Sequence, residues 1–253
     1  MKKKNIPGIH NYCDRWCERC PFTDRCAVFE SEKDLTAEQQ DMQHEAFWER
    51  LKENFAKARV MLEQAAKSHG LDFQAIEADM EEAGKQEEDR RKNSEAHTLA
   101  QLSRDYGKAT DQWLKTQPGM LSKLEKLKEE VGAGVEETAS ARHQIETIKD
   151  SLAVIQWYSN FIYAKFMRAL MGKADFGEGK ESYPRDFDGS AKIALISVER
   201  SMQAWKLLFE LLPEEEDHFL TILALLERIR KEALQEFPHA MAFVRPGLDE
   251  VSP

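Results

Sequence analysis

Apolar residues recur along this chain at three- and four-residue steps, the period of a helix with one buried face, and nowhere alternate as a half-buried strand requires. Thr36-Ala37-Glu38-Gln39 has the form of a capping box, in which hydroxyl and amide satisfy exposed peptide groups. Phe47, Leu51, Phe55, Leu62 and Ala66 then keep one face apolar as far as Gly70. The spacing predicts a first helix of about nine turns. A short second helix is expected over 72–83, stopping at Gly84, and the charged run 85–93 reads as a solvated hinge or helix extension. Ser94 is the expected cap of a third helix carrying Leu99, Leu102, Tyr106, Ala109 and Trp113, interrupted at Pro118-Gly119. Leu121, Leu124 and Leu127 continue the pattern to Gly132-Ala133-Gly134.

The longest apolar helix is expected over 137–171. Ile145, Ile148, Leu152, Ile155, Ile162, Phe166 and Ala169 form its stripe, and Val154, Trp157, Tyr158 and Phe161 widen that stripe into a central post. Residues 172–189 hold Gly172, Gly177, Gly179, Pro184 and Gly189 without a period and read as a flexible loop. Two helices follow. One spans 190–212 with Ala191, Ala194, Leu195, Val198, Met202, Trp205 and Phe209, and the other runs from Pro213 to about Phe237 with Leu220, Leu223, Leu226 and Ile229. The expectation is therefore all-α: an up-and-down helical bundle over 35–253, built from the helices near 36, 94, 137, 190 and 213. An N-terminal cysteine-rich metal-binding loop, residues 1–34, is expected at one end.

Charge narrows the partners. The net charge of −10 argues against a general nucleic-acid binder, which must neutralise phosphates with surplus Lys and Arg. One exception is local: residues 1–26 carry six basic against three acidic side chains. The most apolar run, Leu152 to Leu170, is broken by Gln156, Asn160, Lys165 and Arg168, too polar for a membrane span. Met1-Lys2-Lys3-Lys4 leads into Asn5, Pro7, Gly8 and His10 rather than an apolar signal segment, so a cytoplasmic location is expected.

All four cysteines, Cys13, Cys17, Cys20 and Cys26, fall within one 14-residue window at C-x3-C-x2-C-x5-C spacing. Cysteines that staple a secreted fold are distributed along it to close long loops, whereas short spacings let one loop wrap a single point with four thiolates. Zn²⁺ and a 4Fe-4S cluster both accept four cysteines. No glycine lies between Cys13 and Cys26, although zinc knuckles generally use one, and Pro21 follows Cys20 directly as in cluster-binding runs. These features point to 4Fe-4S ahead of zinc. Tyr12, Trp16, Phe22 and Phe29 stand around the loop either as apolar cover for sulfur or as ordinary docking residues, and His10 is a further imidazole nearby.

The segment Cys17-Glu18-Arg19-Cys20-Pro21-Phe22-Thr23-Asp24-Arg25-Cys26 resembles the C-x2-C-P-x4-C end of the 4Fe-4S loop in the endonuclease III and adenine-glycosylase group of DNA repair enzymes. The resemblance covers about ten residues and implies a ligand type rather than DNA chemistry. That family separates its first two cysteines by six residues where Cys13 and Cys17 are separated by three, and it carries a helix-hairpin-helix with a catalytic Asp that this chain lacks. The spacing of the first three cysteines also matches the radical-SAM motif, but that chemistry belongs to a strand-rich barrel and needs an open iron that a fourth close cysteine would fill.

Carboxylate and imidazole three residues apart on a bundle helix are the elements of a di-metal site. Glu215-x-x-His218 and Glu236-x-x-His239 match literally. Asp41-x-x-His44 is looser, and His143, Glu146 and Asp150 enter the central helix with Glu199 on a neighbour. In a chain this rich in Glu the same spacings also arise as solvated faces and ion pairs to Arg142, Lys149 or Arg200. Tyr163, Lys165 and Arg168 line a polar pocket or snorkel from a buried helix. No Walker loop, GxGxxG, HExxH or GxSxG is present. Three functions follow as expectations: a four-cysteine metal protein, 4Fe-4S or zinc, with a redox, electron-transfer or structural role; a non-enzymatic interaction module held by a zinc knuckle, docking a protein partner; and a di-metal carboxylate oxidoreductase using His143, Glu146, Asp150, Glu199 and His44.

Overall fold

The structure, a computed structural model, describes residues 4–116, 118–132, 138–176 and 185–249, and these contain helices and turns but no strand. Two compact units are present. The first comprises residues 1–10 and 15–90, and the second comprises residues 11–14 and 91–253.

A short turn at Ile9–Asn11 crosses the boundary of the units, and in the first unit turns at Cys17–Arg19 and Thr23–Arg25 lead to α1 (Ala27–Glu32), α2 (Ala37–Gln40) and α3 (Glu45–Ser68). The capping box forms as expected at Thr36 and Gln39. The single helix expected from there to Gly70 is nevertheless two. The Asp41 carboxylate accepts from the Gln43 amide, and His44 Nδ1 accepts from the Ala46 amide, so polar side chains satisfy the backbone outside a helix and restart it at Glu45. α4 (Phe73–Ala96) corrects a second expectation by running through Gly84 and the whole charged segment. Gly84 has open space around it, so its cost is the propensity cost alone, and Arg91 pairs with Glu95 one turn on at 2.8 Å.

In the second unit, α5 (Thr98–Thr116), α7 (Thr138–Asp175), α8 (Asp186–Leu211) and α9 (Glu216–Glu236) pack about a common core, and α6 (Pro118–Gly132) lies against α7. Ser94 lies buried within α4, and the cap of α5 is His97, whose Nδ1 accepts from the Leu99 amide at 3.1 Å. The α7 stripe is buried as the periodicity predicts at Ile145, Ile148, Ile155, Ile162, Phe166 and Ala169. α7 and α8 shorten the expected 172–189 loop from both ends, and residues 177–184 lie outside the described residues, as do Glu137 and the Leu121 side chain. α9 shifts phase. Its buried face is Phe219, Ile222, Leu226, Ile229 and Ala233, a 3-4-3-4 spacing, while Leu220 is 49% exposed.

The core is aromatic at one place. Trp113 meets Trp205 edge-on at 4.9 Å, Phe219 lies 5.6 Å from both, and Trp205 Nε1 donates to the Tyr106 hydroxyl at 3.1 Å. This buried indole therefore keeps a partner as it leaves water.

Candidate metal centre

The cysteine segment is built by local backbone bonds. The Cys20 amide donates to the Cys17 carbonyl at 3.2 Å, closing one tight turn over Cys17–Arg19. The Cys26 amide donates to the Thr23 carbonyl at 3.4 Å, closing a second. Between them Pro21 lacks an amide hydrogen, and the next amide, that of Phe22, donates to Cys20 Sγ at 3.4 Å. The Ile6 amide donates to the Arg25 carbonyl at 2.9 Å and Arg25 Nε to the Lys4 carbonyl at 3.3 Å, so the chain preceding the window is tied to its end. Arg19 stacks over Trp16 at 3.8 Å from the ring centre.

All four cysteines are half-buried and carry no disulfide. Cys17, Cys20 and Cys26 belong to the first unit and Cys13 to the second. Among the described residues no three His, Cys, Asp or Glu side chains are arranged to hold a metal ion. The four thiols lie in one window of the sequence, with a backbone amide directed at one of them.

The segment around Cys13 is fastened to α7 and α8 by residues that periodicity does not reveal. The Tyr12 hydroxyl donates to Asp186 Oδ1 at 2.5 Å, and its ring lies 4.8 Å from Phe243 and against Gly189, where no Cβ fits. Tyr12 is thus a docking residue. Lys165 and Arg168 donate to the Asn11 carbonyl, and Arg245 to that of Tyr12. Trp157 Nε1 donates to the Asp14 carbonyl at 3.0 Å, while the Asp14 carboxylate accepts from Tyr158 and Arg200 at 2.8 and 2.7 Å. Burial, then the bond to Asp186, pushes the Tyr12 phenol up to about 12; burial and Asp14 do the same for Tyr158. Burial alone would raise Asp249, but bonds from Arg245 and Lys192 outweigh it and hold that carboxyl well below the usual range. Lys165 and Arg168 are therefore anchors for this segment, and Tyr163 accepts from Arg104 at 2.7 Å.

Several members of the imidazole–carboxylate pairs have other partners. His143, Glu146, Asp150 and Glu199 are exposed, with Glu146 bound to Lys149 at 2.9 Å. Glu215 accepts from Trp113 Nε1 at 3.2 Å, and the His218 ring lies nearly parallel to Trp113. Glu236 binds Lys173 at 2.8 Å, and His44 caps α3. No protein-family model, curated protein or solved structure matches this chain.

Proposed function

We propose that this protein is a metalloprotein in which the four thiolates of Cys13, Cys17, Cys20 and Cys26 bind one centre, a 4Fe-4S cluster ahead of Zn²⁺. The observation that carries the reading is the confinement of every cysteine in the chain to one 14-residue window. Pro21 after Cys20 and the absence of glycine between Cys13 and Cys26 favour the cluster. A cluster supplies a one-electron couple, and zinc supplies a structural cross-link. The chain's own residues support either role. The amide of Phe22 donates to Cys20 Sγ, the turns at 17–19 and 23–25 lead directly into Cys20 and Cys26, and Tyr12 and Asp14 hold the main chain on both sides of Cys13. We propose a cytoplasmic location, because cysteines confined to one short window suit a reducing compartment better than a disulfide-stapled secreted fold.

A second reading, the zinc-knuckle interaction module, has one observation in its favour. α3 leaves Trp48, Phe55 and Leu62, spaced seven residues apart, exposed to solvent.

Anaerobic purification followed by a visible spectrum and metal analysis tests both readings. A brown protein absorbing broadly near roughly 400 nm with about four irons per chain, lost in a Cys17→Ser, Cys20→Ser double variant, is the expected result. About one zinc in a colourless protein moves the second reading into first place. Metal content unchanged by the double substitution would overturn the ligand assignment.

A further inference from the structure

The first unit contains a cavity of about 510 Å³ bounded by the turn of Cys17, by α1 and by the start of α3. Its lining includes the cations Arg15, Lys33 and Arg50, the carboxylates Glu18 and Glu32, and the rings of Phe29 and Phe47. The cations are not equally committed. Arg15 lies 3.5 Å from Glu32, and its backbone is held in the left-handed region at φ 59°, which an arginine adopts at a cost. Arg50 differs: its Nε is buried and has no hydrogen-bond partner, while its guanidinium sits 5.7 Å from the Phe47 ring centre. Among the described residues Arg50 has no carboxylate paired with it, unlike Arg15, so the guanidinium that lines this cavity is a cation available to an anionic acceptor.

We infer that this cavity binds a small organic carboxylate with a flat apolar body, its carboxylate on Arg50 and its body between Phe29 and Phe47. A guanidinium presents parallel N–H groups that match the two oxygens of a carboxylate, and aromatic walls take up a planar body. The volume lies within the range of small-molecule sites. Arg50, Phe29 and Phe47 stand outside the cysteine set, so the inference does not rest on metal binding. Cys17 also lines the cavity, and a bound carboxylate would border one proposed metal ligand.

Calorimetric titration of benzoate into the full chain as purified, with metal content measured on the same samples, tests the assignment. Saturable one-to-one binding in the roughly millimolar range is expected, weakened at least about tenfold by Arg50→Gln. Arg59→Gln, whose guanidinium pairs with Glu63 at 3.0 Å outside the cavity, should bind like the wild type. Inorganic phosphate, with charge but no apolar body, should bind at least about tenfold more weakly than benzoate. Arg50→Lys, which retains the charge without the planar fork, should also weaken binding and serves if the Gln variant does not fold. Absence of saturable binding to the wild type, equal affinity in the folded Arg50 variants, or equal affinity for phosphate would each overturn the inference. Because metal content is read in parallel, loss of the metal reading leaves this result standing, and the converse holds.

Discussion

At the scale of single residues, Tyr12 and Gly189 depend on each other. A Cβ at position 189 would lie 2.5 Å from Tyr12 Cδ1 and Cε1 and 2.7 Å from Phe243 Cε1, so Gly189→Ala must displace two rings that are packed together. Overpacking of this kind costs about 1–3 kcal/mol, and chemical denaturation of the variant should show a loss in that range. The hydroxyl of Tyr12 adds a pH dependence. Tyr12 and Tyr158 each ionise at about 12 in the fold, against an ordinary value of 10.0, so folding favours their neutral form. A group whose folded pKa is raised contributes its full stability below the unfolded value and loses it as pH climbs to the folded one. Urea melts should therefore show stability falling between pH 10 and about 12, and the Tyr12→Phe, Tyr158→Phe double variant should fall less steeply there. An alkaline fall of unchanged slope in the double variant would show that other groups control it.

At the scale of elements, the phase of α9 has a direct energetic test. Leu226 is fully buried, and its truncation to Ala should cost about 2–5 kcal/mol, whereas Leu220→Ala, half exposed on another face, should change stability by no more than about 0.5 kcal/mol. Denaturation midpoints of the two variants read this difference, and equal losses would mean that α9 packs on the other phase. Leucine spacing alone suggests Leu220, Leu223, Leu226 and Ile229, but Phe219 and Ile222 complete a regular stripe with Leu226 and Ile229, and the small Ala233 closes it. The stripe of α7 is legible in the sequence because it is long enough for the period to dominate. The boundaries that differ are set by single polar groups: His44 and His97 cap through Nδ1, a role their position in the sequence does not announce. Gly84 stops nothing, since a glycine ends a helix only where the chain turns to positive φ, as it does at Gly70 and not at Gly84. Gly84→Ala in that open position should raise the helicity of α4, by about 1 kcal/mol on propensity, in circular dichroism and thermal melts.

At the scale of the whole molecule, the cysteine window is legible because all four proposed ligands lie close in sequence, while what fastens Cys13 is not. Tyr12 finds Asp186 across 174 positions, and Asp14 finds Tyr158 and Arg200 across 144 and 186, separations at which no local pattern operates. This division has a consequence for metal removal. The core of the second unit is made of Trp113, Ile155, Ile162, Trp205 and Phe219, all buried and none of them a proposed ligand. The cysteine turns of the first unit are held by short local bonds such as Ile6 to Arg25 and Phe22 to Cys20, and no residue of the turns at 17–19 and 23–25 or of α1 is buried. The proposed binding of a metal by four cysteines would contribute folding free energy directly to such a segment, because an unfolded chain lacks the assembled site. Chelation under reducing conditions should therefore abolish amide-exchange protection at Phe22, Arg25 and Cys26 while leaving that of α7 and α8 within the range of the untreated protein. A purely redox centre in a self-supporting loop predicts protection at Phe22 and Cys26 that survives metal loss, and a global collapse of α7 and α8 would show that the bundle depends on the metal for its own core.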